Sequence, residues 1–147
     1  MSPYNKTLKH KLVRFVAYFW ALPASLIGSA FVLLALLTGG KAKLNSGVWE
    51  AWGGWPGRRL ASGLPFSGAV AAITFGHVVL GACQDSVCAT RRHEREHVRQ
   101  YERWGVLFFP AYLLAGLKVW LKGGNPYRDN AFEIAARKAE FIDRSDA

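Results

Sequence analysis

The chain has 147 residues, of which 51% are apolar, 14% aromatic and 20% charged, with a formal net charge of +9. That length suits one compact domain and leaves no room for a second catalytic one, while a charged fraction of one fifth excludes a bundle dissolved wholly in lipid. A basic excess beside apolar sequence points to anionic lipid, and no basic and aromatic nucleic-acid motif is present, so no nucleic-acid partner is expected.

Residues 1–14 form a basic tail with Lys6, Lys9, Lys11 and Arg14. Phe15 to Leu37 follows as a run of 23 uncharged residues. At about 1.5 Å per residue this run is long enough to cross a hydrocarbon core of roughly 30 Å, and it predicts a transmembrane helix. A cleaved signal peptide would have a shorter apolar region and a small-residue cleavage site, for which "LTGGKAKL" is a poor match. Basic residues lie on both flanks, with Lys41, Lys43, Arg58 and Arg59 on the far side. The nearest flank favours a cytoplasmic N-terminus with the rest of the chain outside, as in a single-pass protein of a bacterial inner membrane.

In "GGKAKLNSGVWEAWGGWPGRR", turn residues surround short runs that predict a hairpin. Trp49, Trp52 and Trp55 suit the membrane interface, or alternatively a small core. Leu60 to Gln84 is uncharged but broken by Gly63, Pro65, Gly68, Gly76 and Gly81. The β-branched residues of "AVAAITFGHVVLGA" predict a buried strand rather than a second span. Cys83 and Cys88 lack zinc-knuckle spacing; outside the cytoplasm they would form a local disulfide if geometry allows, and inside it they would be free thiols.

"RRHEREHVRQYERWG" then predicts a helix. At about 100° per residue, His93 and His97 share a face with Gln100, Tyr101 and Trp104, whereas Arg91, Arg95, Arg99, Glu102 and Arg103 fall on the far side, expected to face water. Two imidazoles at i and i+4 supply two corners of a tetrahedral zinc site, and Glu94 is offset enough to act on a water there rather than on the metal. The bland alternative is a pair of hydrogen-bonded core histidines.

Beyond it, "VLFFPAYLLAGL" offers twelve uncharged residues including Pro110, too few for a standard span. A crossing here would also put His97 and any downstream ligand on opposite sides of the membrane. A buried, interfacial or re-entrant helix is therefore expected at 106–121, with Tyr112 and Trp120 suited to the interface and Lys118 and Lys122 to headgroups. The last segment, "NPYRDNAFEIAARKAEF", opens a helix with Glu133 on its first turn and with Ala135 and Ala136 allowing close approach. Glu133 is the expected third ligand and Glu140 its substitute. Asn130 with Glu133 also fits a capping box, in which the carboxylate would serve only its own helix.

"HEREH" and "EIAA" resemble the gluzincin branch of zinc metallopeptidases, in which His-Glu-x-x-His on one helix is completed by a glutamate in Glu-x-x-Ala or Glu-x-x-Ser on a later one. The resemblance implies zinc ligands His93, His97 and Glu133, with Glu94 as general base. It implies an α+β fold in which the transmembrane helix 15–37 precedes a small zincin-like domain, 38–147. That domain would hold a short β-sheet, the motif helix, an apolar helix and a C-terminal helix. About the last 55 residues also resemble small bacterial membrane proteins with the same arrangement. The chain departs from many gluzincins after Ala136, where Arg137 replaces an aspartate that supports a histidine.

The implied chemistry is peptide hydrolysis near the bilayer, on a polypeptide paired with an edge strand in "AITFGHVVLG" just before the motif helix. Tyr101, Tyr127 and His77 are candidates for stabilising the oxyanion, with packing the alternative role for His77. The competing function is a non-enzymatic membrane protein, such as an accessory subunit of a membrane complex, that keeps a structural or vestigial metal site. A third, an amphipathic lipid-binding module, would be indifferent to metal.

Overall fold

A computed structural model describes the backbone of residues 3–63 and 69–145 and the side chains of residues 13, 15–63 and 69–140. The side chains of the basic tail (Lys6, Lys9, Lys11, Arg14) and the segment 64–68, with Pro65 and Gly68, lie outside the described residues. In chain order the elements are α1 (Pro3–Leu37), β1 (Lys41–Asn45), β2 (Val48–Trp52), α2 (Gly54–Ser62), β3 (Ala72–Phe75) and β4 (Val78–Gly81). They continue with α3 (Gln84–Trp104), a 3-10 turn (Gly105–Leu107), α4 (Phe108–Leu121) and α5 (Ala131–Ser145). The fold is α+β.

The four strands form one mixed sheet in the order β1-β2-β4-β3, two antiparallel hairpins joined by the parallel pair β2–β4. The first hairpin forms where the turn residues predict it. Ser46 and Gly47, both at positive φ (48° and 81°), make a two-residue loop whose twist matches the flanking strands. The segment expected as one buried strand is instead the second hairpin, β3–β4, because Gly76 at φ 58° turns the chain. β4 is buried along its whole length, and β3 lies at the sheet edge. "GWPGRR" folds as α2, with Pro56 in the first turn, where a missing N–H is tolerated. Trp49 and Trp55 are each 46% exposed, so neither belongs to the core.

The apolar run of α1 lies along this sheet. The Tyr18 hydroxyl donates to the Gly47 carbonyl (3.2 Å), and the His77 N–H donates to Ser25 Oγ (3.0 Å). Phe31 stacks on Phe75 at 5.8 Å, and a Cβ on Gly28 would come within 2.6 Å of Val78 Cβ. Further on, Gly54 and Gly40 close against the backbone of Ala35. The protein-facing residues Ala21, Ala24, Gly28 and Ala35 are small, and the outward ones, among them Phe15, Phe19, Leu26, Leu33 and Leu37, are large and 58–75% exposed.

α3 continues through the 3-10 turn into α4, and α5 then returns to pack on α3. Phe108 and Gly116 are buried, whereas Phe109, Leu113, Leu114, Trp120 and Leu121 are exposed. Phe15–Leu37 and the stretch Gln84–Leu121 are both long and apolar enough to cross a membrane.

Candidate metal centre

α3 begins at Cys83, whose Sγ accepts from the Ser86 N–H (3.5 Å), with Asp85 in the first turn complementing the helix dipole. Cys83 and Cys88 are free, exposed thiols and form no bridge. The inward face of α3 buries Val87, His93, Glu94, His97, Val98, Gln100 and Tyr101. The opposite face does not simply meet water as the helical wheel suggested. Arg91 makes two hydrogen bonds to the buried Glu50 of β2 (2.9 and 3.0 Å), Arg95 binds the carbonyls of Asn45 and Ser46, and Glu102 binds His77. These contacts lock the motif helix onto both hairpins. Trp104, expected on the histidine face, is 45% exposed and meets Phe132 edge to face.

α5 starts at Asn130, which is fully buried; its Oδ1 accepts from the Phe132 N–H (3.1 Å) and its Nδ2 donates to the Tyr112 carbonyl (3.1 Å). Asn130 thus caps the helix without Glu133, whose carboxylate points at α3. His93 Nε2 lies 3.2 Å from Glu133 Oε2, His97 Nε2 lies 3.3 Å from Glu133 Oε1, and the two Nε2 atoms are 3.1 Å apart. These three buried residues form a cluster that could hold a metal ion; Glu140 is not part of it. A tetrahedral ion with bonds of about 2.0–2.1 Å separates neighbouring ligand atoms by about 3.3 Å; the two imidazole nitrogens are near that spacing at 3.1 Å, and one ligand atom from each of the three residues lies within 4.8 Å of the others.

The protons fit as well. Gln100 Nε2 donates to the Phe132 carbonyl (3.0 Å), which leaves Gln100 Oε1 to accept from His97 Nδ1 (2.8 Å). With its proton on Nδ1, His97 turns the lone pair of Nε2 to the centre. The Tyr112 hydroxyl donates to Glu133 Oε1 (2.9 Å), whereas Glu133 Oε2 is buried with no hydrogen-bond partner. A buried carboxylate whose two oxygens each face one imidazole nitrogen, with Arg137 Nη1 beyond them at 3.8 Å from Oε2, suits a divalent cation.

Glu94 follows His93 on the same helix and is 4% exposed. Its Oε2 accepts from Thr74 Oγ1 on β3 (2.6 Å). Burial raises the Glu94 pKa, and the Thr74 hydrogen bond and both histidines offset this only in part. Burial also pushes the Glu133 carboxyl up, but the facing His93 and His97 outweigh it and hold the group well below the usual carboxylate range. For His97 the order is reversed: burial lowers its pKa, and Glu133 with Glu94 raises it above the ordinary value. Protons therefore compete with a cation for this site, and loading weakens as pH falls.

Of the proposed oxyanion stabilisers, Tyr127 alone has a hydroxyl influenced by the centre. That hydroxyl is pushed up to about 12, first by burial and then by Glu133 and Glu94. Tyr101 packs at 3% exposure with Ala21, Ala24 and Phe108, inside the seam between α1 and α3. His77 stacks on Tyr18 at 3.9 Å and bonds Glu102 at 3.0 Å, contacts that pack it against α1 and α3 outside the His93, His97 and Glu133 cluster. Sequence reasoning missed the roles of Gln100, Thr74 and Tyr112. Gln100 was visible as a polar residue on the histidine face, whereas nothing local marks Thr74 or Tyr112, which arrive from β3 and α4.

Compared with protein-family models, curated proteins and solved structures, the chain matches none.

Proposed function

We propose that this chain is a membrane-bound zinc-dependent peptidase with a zincin-like arrangement of sheet edge, motif helix and completing helix. The observation that carries the reading is the convergence of His93 Nε2, His97 Nε2 and the buried Glu133 carboxylate, with the Glu94 carboxylate on the residue after His93. His93, His97 and Glu133 would hold the zinc, which when bound supplies Lewis-acid polarisation of the scissile carbonyl and acidifies water.

The chain's own groups then divide the work. Thr74 fixes Oε2 of Glu94 and leaves Oε1 for the reacting proton. Glu94 takes a proton from the attacking water as the new C–O bond forms, and delivers it to the amide nitrogen as the C–N bond breaks. The raised pKa of Glu94 brings its proton affinity closer to what this shuttling requires. Tyr112 holds Oε1 of Glu133 and so keeps the carboxylate facing the histidines. β3 is an edge strand beside Glu94 with no further strand paired to it among the described residues, so an extended polypeptide adding to that edge would pass the base.

Purified protein should contain about one zinc per chain and hydrolyse a generic peptide mixture. The decisive variant is Glu94→Gln, which should retain zinc and lose hydrolysis. Stoichiometric metal without turnover in the unmutated chain would refute the peptidase reading and favour a non-enzymatic subunit with a structural metal.

A further inference from the structure

We infer that α1 lies in the plane of the membrane surface, with its row of large residues sunk into one leaflet, rather than crossing the bilayer. The single crossing expected from the length of the run assumes a helix standing clear of the domain. Here the sheet accompanies that run from Tyr18, bonded to Gly47, through Gly28 against Val78, to Ala35 against Gly54. Those seventeen steps span about 26 Å, most of a hydrocarbon core of about 30 Å.

If α1 stood upright, the sheet would be immersed with it. Both edge strands, β1 and β3, would then present backbone groups that no strand among the described residues pairs, and lipid does not tolerate an open sheet edge. Exposed Lys43 and Ser46 would also lie at hydrocarbon depth. An in-plane helix avoids both costs, because the sheet stays in water above it.

The exposed side chains fit that orientation. Phe15, Phe19, Leu22, Leu26, Leu33 and Leu37 recur at intervals of three, four and seven, which places them in one stripe along the outer face. The opposite face, normally polar in an interfacial helix, is here covered by the domain through Ala21, Ala24, Gly28 and Ala35. The apolar surface continues beyond α1. Half-exposed Trp20 rests on Gly105, next to exposed Val106, Leu107 and Phe109 at the start of α4. This continuity of one apolar surface over two helices selects a lipid leaflet as its occupant.

The test is a depth profile of the full chain on vesicles of phosphatidylcholine and phosphatidylglycerol. Nitroxide labels are attached to single cysteines replacing Phe15, Leu22, Leu26, Leu33 and Leu37, in a background of Cys83→Ser and Cys88→Ser. All five positions are outward-facing, so labelling leaves the interior untouched. The expected profile is flat, every label lying about 5–10 Å below the headgroups. A profile deepest at Leu26 and shallow at both ends would overturn the inference, and so would the absence of lipid contact at all five positions. Neither result depends on metal or hydrolysis, so this inference and the peptidase reading fail separately.

Discussion

α1 and α3 are the two long helices of the molecule, and they sort their faces by different rules. α3 separates by polarity and chemistry: the imidazoles and Gln100 turn to α5 and Glu94 to Thr74 of β3, while Arg91 and Arg95 reach back to the first hairpin. α1 is apolar on every side and separates by size, with small residues against the sheet and large ones outward. A chemical face tolerates almost no change of functional group, whereas a size-sorted face tolerates change on one side and hardly any on the other.

The largest effect expected from breaking α3's rule is loss of chemistry with the fold kept. Glu94→Gln should lower the rate of peptide hydrolysis by about 10²- to 10⁴-fold while zinc content stays near one per chain. Glu133→Ala should instead lose the zinc, read by metal analysis after dialysis. Equal activity in Glu94→Gln and the unmutated chain would remove the base from the mechanism.

Next comes the partner that orients His97. Gln100→Ala should weaken zinc binding about 10- to 100-fold in a competition titration, because the imidazole loses the acceptor that fixes its proton on Nδ1. Gln100→Glu keeps an acceptor and should recover part of the affinity. If both variants bind zinc like the parent, the glutamine merely packs.

On α1 the comparison is tested by a pair of variants. Gly28→Leu forces a side chain into Val78 and Phe75 and should destabilise the fold by about 1–3 kcal/mol, seen as a lower unfolding midpoint. Leu26→Ala, on the outward stripe, should leave that midpoint in place and reduce partitioning onto vesicles by up to about tenfold. Reversed outcomes would mean that the faces have been assigned the wrong way round.

The same contrast explains what could be read from the sequence. The cluster of His93, His97 and Glu133 was legible because a site able to hold a metal imposes spacing: two histidines one turn apart, and a glutamate at the start of a later helix. The first hairpin was legible from Asn45 to Gly47, where turn chemistry is local. The second was read as a single strand because one glycine, Gly76, makes the turn inside an otherwise continuous apolar run. The relation of α1 to the sheet was not legible, since apolar residues of different size give no polarity signal. Thr74 and Tyr112 were invisible for another reason: each meets its carboxylate across about 20 residues of chain, and only the fold brings them together.

The smallest expected effect lies where the two helices meet, at Tyr101 between Ala21, Ala24 and Phe108. Burial pushes its hydroxyl from 10.0 up to about 12, so the fold favours the neutral phenol. That contribution is complete below pH 10, declines as pH rises from there and is exhausted above about 12. At pH 11 it amounts to about 1 kcal/mol of lost stability. Tyr101→Phe has no proton to lose, so its unfolding midpoint should fall less than the parent's between pH 9 and pH 11 (~1 kcal/mol less). An identical alkaline decline in both proteins would show that water reaches this hydroxyl, and that the seam between the size-sorted helix and the chemical one is not closed.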